Sequence, residues 1–135
     1  MCIRDSTWAY HWSSEPVADN WAQTSYDDSS WSRGASPIGY GGPGLNTTLT
    51  PGAAKTRPIT TYARVNFTVA DPTAIGGVNV AVTADDGAVV YVNGTEVVRQ
   101  RMADGTVDAS TLSLIHICLR LPLRGLRPRL RAEDR

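Results

Sequence analysis

Histidine and cysteine are nearly missing from the body of this chain. Between residues 7 and 111 there is no cysteine, and His11 is the only histidine. A nucleophile with its general base, or a zinc centre, draws on more residues of these types, so such chemistry has little to work with here. The glycine-rich run at residues 39–44, "GYGGPG", is followed by neither the helix nor the lysine that a phosphate-cradling loop needs. Asp27–Asp28 and Asp85–Asp86 are adjacent acids, and neighbours on extended chain point apart, which suits no glycosidase pair. No stretch is apolar for long enough to cross a membrane, and long amphipathic runs are absent. These absences point away from an enzyme.

Net charge is also missing, but only on average. Thirteen basic residues balance thirteen acidic ones over 135 positions. Arg4 and the six arginines between residues 120 and 135 lie in the flanks, leaving six basic and ten acidic residues in 7–111. The flanks have an origin outside protein chemistry. "MCIRDS" at residues 1–6 back-translates to a DNA whose reverse complement encodes "LSLIHI", residues 112–117. That shared DNA looks like a transposon end used in preparing sequencing libraries. The expectation is that residues 1–6 and 112–135 are adapter-derived or read-through sequence, the latter disordered, and that 7–111 is the natural segment. The arginine-rich tail then says nothing about nucleic acid or membrane surfaces, and neither partner is expected. The opening residues hold no apolar core of a secretory signal.

Turn formers, valines and aromatics make up what remains, and they suit one β-rich domain with a modest core. Trp8, Tyr10 and Trp12 alternate as on a strand with one aromatic face. "YDDSSW" at residues 26–31 supplies acids and hydroxyls for a capped turn ending at Trp31, which is expected in the core. In "ITTYARVNFTVA", residues 59–70, Ala63, Val65, Phe67 and Val69 share one face, and Tyr62, Arg64, Asn66 and Thr68 the other. Val78, Val80 and Val82 predict a further strand. Asn93–Gly94, between "VVYV" and "TEVV", predicts a two-residue type I′ hairpin, with Val89, Tyr91 and Val97 on one side of its pleat. Antiparallel strands without a crossover helix make the expected fold an all-β sandwich or jelly roll.

Three stretches in order, "YDDSSWSRGASPIGYG", "YARVNFTVADP" and "ADDGAVVYVNGTEVVRQRM", carry a resemblance. Together they resemble the galactose-binding-like jelly-roll modules of secreted bacterial multidomain hydrolases, such as those attached to metallophosphoesterases. They are also similar to the sugar-binding domain of β-galactosidase-type glycoside hydrolases. The resemblance implies a non-catalytic carbohydrate-binding accessory module, secreted or at the cell surface. Its partners would be a glycan or cell-surface polysaccharide and the catalytic domain of the parent chain. Such modules continue with further strands after the hairpin, so the sandwich is expected to be incomplete and the isolated chain poorly stable. The alternatives are a structural spacer without its own ligand, or a fragment of a metallophosphoesterase whose catalytic domain lies elsewhere.

Sugar rings stack on aromatic faces, which makes Trp12, Trp21 and Tyr40 the candidate platforms; the same rings could instead plug the ends of the sandwich. Trp12 is the better candidate for exposure than Trp31, and His11 is expected to face solvent rather than to act as a base. Asp85 and Asp86, at the hairpin entrance and followed by Gly87, are hard oxygen donors suited to calcium and to sugar hydroxyls. The paired-aspartate calcium sites of protective-antigen-type lectin modules are similar. The alternative is that the two carboxylates only set the turn.

Overall fold

The computed structural model describes residues 6–112; the expectations about residues 1–5 and 113–135 fall outside the described residues. The elements are β1 (Thr7–His11), β2 (Ser32–Ala35), β3 (Ile38–Gly39), β4 (Thr47–Thr48), β5 (Tyr62–Arg64), β6 (Ala88–Val92) and β7 (Thr95–Gln100), with one 3-10 turn at Pro72–Ala74. Among the described residues there is no α-helix, and the fold is all-β. No helix there is long and apolar enough to cross a membrane.

A three-stranded antiparallel sheet in the order β2-β1-β5 forms the centre. Its two faces are both covered. On one, Trp8 packs with Ala63, Val65, Val80, Val82 and Ile38. On the other, Ala9, Trp31 and Tyr62 pack with Val17, Trp21 and Tyr26. Trp31 is in the core, 7% exposed, where the capped turn before it delivers the ring: Ser29 N donates to Asp27 Oδ1 at 2.9 Å and Trp31 N to Asp28 O at 3.0 Å.

Burial on both faces corrects the expected arrangement of residues 59–70. Tyr62 and Arg64, assigned to the polar face, are buried, whereas Phe67, assigned to the apolar face, is 42% exposed. Alternation identifies two faces but not whether each is covered. Here the loop before β2 folds over the second face and encloses Tyr62 and Arg64. β5 ends at Arg64, and residues 78–82 carry no strand. Val65, Val80 and Val82 keep their apolar contact with Trp8 all the same. Side-chain alternation specifies that contact, whereas a strand also needs a backbone partner.

The β6–β7 hairpin forms as its turn chemistry requires. Asn93 and Gly94 have φ of 51° and 80°, the positive pair of a type I′ turn. A register shift between Val90 and Tyr91 places Val90 opposite Val98 and Tyr91 opposite Glu96. Val97 is therefore the extra residue of a bulge and stands exposed, not beside Val89 and Tyr91 as alternation suggested. The hairpin docks on the rest through Tyr91, edge-on to Trp21 with centroids 5.5 Å apart.

Candidate functional site

The residues that follow three of the strands meet. Trp12 follows β1, Tyr40 follows β3, and Thr50 comes two residues after β4. The two-residue parallel ladder of β3 and β4 brings the last two together, reinforced by Leu49 N donating to Gly39 O at 2.6 Å. β4 is held in turn against β2: Thr47 Oγ1 donates to Ala35 O at 2.8 Å. The close approach depends on Gly34, because a Cβ there would meet Thr47 Oγ1 at 2.5 Å. Asn46 Nδ2 ties the intervening glycine-rich loop to Ser36 O at 2.6 Å.

The result is an aromatic ledge. The Trp12 indole N–H donates to Thr50 O at 2.9 Å, which fixes the ring, and the Trp12 and Tyr40 centroids lie 5.6 Å apart at 42°. Arg57 places its guanidinium carbon 5.3 Å from the Tyr40 centroid. All three residues are half-buried, so each keeps part of its surface in solvent. Trp12 is thus more exposed than Trp31.

Trp21 belongs to a different place. Its ring is edge-on to Tyr62 and Tyr91, at 5.0 and 5.5 Å, and lines an apolar cleft of about 150 Å³ between the central sheet and the hairpin. Trp8, Val65, Val78 and Val80 contribute to the same cleft. Burial, helped by the charge of Asp108, pushes the Tyr62 phenol above its ordinary 10.0. Burial does the same to Tyr91, with Glu96 adding to it. His11 is half-buried rather than solvent-facing, its ring 5.6 Å from Trp31 and 6.4 Å from Tyr62.

Asp85 and Asp86 differ in burial. Asp85 is exposed, while Asp86 is 1% exposed with φ of 125°. The positive φ thus falls on the aspartate. Gly87 serves close approach instead: a Cβ there would lie 2.4 Å from Met102 Sδ and 2.7 Å from Arg101 O. Among the described residues no group of three or more His, Cys, Asp or Glu side chains lies together. A calcium ion at Asp85 would have to find most of its ligands among carbonyls.

Of the ledge residues, Trp12 and Tyr40 were candidates from the sequence and Arg57 was not. The signal for it was weak, since an arginine between Thr56 and Pro58 in a polar loop carries no pattern. No protein-family profile, curated protein or solved structure matches this chain.

Proposed function

We propose that this chain is a non-catalytic carbohydrate-binding module of jelly-roll type, accessory to a secreted hydrolase, and that it takes its ligand on the Trp12–Tyr40 ledge. The observation that carries the reading is the pair of rings 5.6 Å apart at the strand ends. An aromatic face stacks on the C–H face of a pyranose, burying apolar area at little cost in side-chain entropy because both rings are already held. The Thr50 bond holds Trp12 before any ligand arrives. Binding of the full chain to an immobilised glycan panel tests this. Trp12→Ala is expected to lower affinity by about tenfold or more, the loss of roughly 1.4 kcal/mol of stacking. Unchanged binding by that variant would move the site elsewhere.

A second reading, a structural spacer packed against another domain, draws on the cleft. Phe67 and Val78, 42% and 58% exposed, stand at its lining, an apolar surface of the kind that interfaces cover. On that reading Trp12→Ala is silent, and Val78→Asp releases the neighbouring domain in a pull-down from the parent protein.

A further inference from the structure

Charge is divided within the described residues in a way that bears on the ledge. Residues 29–70 contain Arg33, Lys55, Arg57 and Arg64 and no acidic residue. All ten acids of residues 7–111 fall outside that span. Tyr40, Thr50 and Arg57 all come from the acid-free part, and Trp12 packs onto it.

Arg57 differs from the other arginines of the described residues. Arg33 and Arg64 both bond the carboxylate of Asp28, at 2.6 and 3.0 Å. Arg99 pairs with Glu96 at 2.7 Å, and Arg101 donates to Ala84 O at 3.5 Å. Arg57 has the Tyr40 ring, and its Nε is shielded from solvent with no hydrogen-bond partner among the described residues. The ring offsets part of the positive charge but gives that N–H no oxygen acceptor. A buried donor left unanswered costs stability, so its survival beside a half-buried aromatic ledge points to a ligand that binds the rest of the guanidinium and offsets that cost. The guanidinium is a planar fork of donors that matches an oxyanion with two acceptor oxygens.

Resting on the sugar-binding reading above, we infer that the ledge selects anionic glycans: the sugar ring lies on Trp12 and Tyr40, and Arg57 takes its carboxylate or sulfate. Arg57 is then the specificity residue and the aromatic pair supplies binding common to all sugars. Lys55, two residues from Arg57, adds a long-range attraction that salt screens.

The test is calorimetric titration of the full chain with three oligosaccharides: a galacturonide, a sulfated galactan fragment and the neutral galactan fragment of equal length. At least one anionic ligand should bind about tenfold or more tightly than the neutral one, an advantage that fades as salt rises from roughly 50 to 500 mM. Tight binding of only the galacturonide assigns a uronate, of only the sulfated fragment a sulfate ester, and of both a general oxyanion pocket. Arg57→Gln should erase the preference, lowering affinity for the anionic ligand by about tenfold or more; Arg57→Lys should keep part of it, as charge without the fork does. Equal affinity for all three, or a preference that survives Arg57→Gln, overturns the inference and leaves the sugar-binding reading standing. Binding of none overturns both.

Discussion

Removing the guanidinium of Arg64 should cost this fold more than any other single surface-to-core contact described above. Arg64 is 8% exposed and works as a junction. Its Nε donates to Asp28 Oδ2 at 3.0 Å, and its Nη1 donates to Gln23 O at 3.1 Å and also to Trp21 O. Its guanidinium carbon also lies 5.2 Å from the Tyr26 centroid. The loop carrying Trp21 and the capped turn carrying Trp31 are thereby fixed to β5. In Arg64→Met, two carbonyls and one carboxylate lose a charged donor. Each carbonyl left short costs about 1 kcal/mol, and the carboxylate somewhat more. Asp28 keeps Arg33, half-exposed at 2.6 Å, which limits the carboxylate's share. The sum is about 3 kcal/mol, which at an m-value of about 2 kcal/mol/M lowers the urea midpoint by roughly 1.5 M.

Tryptophan fluorescence during urea unfolding reads this directly, because Trp21 and Trp31 sit on the segments that Arg64 holds. Arg64→Lys should lose about half as much, keeping charge but not the fork. Asp28→Asn combined with Arg64→Met should lose clearly less than the sum of the two alone, since they share a bond. A midpoint shift below about 0.5 M for Arg64→Met, with additive losses in the double variant, would refute the junction.

Other consequences follow from the same geometry. Gly94→Val places a branched side chain at φ of 80° and 2.5 Å from the Gln23 amide, and should cost about 2 kcal/mol or more by the same unfolding assay. The phenols of Tyr62 and Tyr91 ionise later in the fold than in the unfolded chain, with burial the main cause. Stability should therefore be full below pH 10.0 and fall as pH rises beyond it towards the folded values, with Tyr62→Phe flattening the fall. Urea midpoints at a series of alkaline pH values measure that slope. Asp27, Asp71 and Asp108 are lowered by hydrogen bonds from Ser29, Thr73 and Ser110. Acid should therefore weaken the fold as pH drops below their ordinary 3.8, a trend visible by circular dichroism.

What was legible in the sequence was local. Asn93–Gly94 encodes its own turn, and the strand alternation at Trp8 reports a face regardless of what covers it. Trp31 was readable because the capped turn precedes it by only a few residues. Arg64 was misplaced because a charged residue on an alternating strand reads as solvent-facing until its partners are known, and these lie 36 to 43 positions away. The ledge was half-legible for the same reason. Its rings were recognisable as residue types, but Trp12, Tyr40, Thr50 and Arg57 meet only through a two-residue parallel ladder that no periodicity announces. Trp21 was grouped with them by chemistry alone, and the fold sends it to the cleft instead.

The four tryptophans divide the competing accounts cleanly, since Trp12 is on the ledge, Trp8 and Trp21 line the cleft, and Trp31 is in the core. Labelling the chain with 5-fluorotryptophan and titrating it with galacturonide and galactan oligosaccharides in fluorine NMR gives each indole its own signal. The account predicts that the Trp12 resonance, assigned by Trp12→Phe, shifts and saturates while Trp31 stays in place. A titration in which Trp12 is unmoved, whether the cleft tryptophans respond or none does, would contradict it.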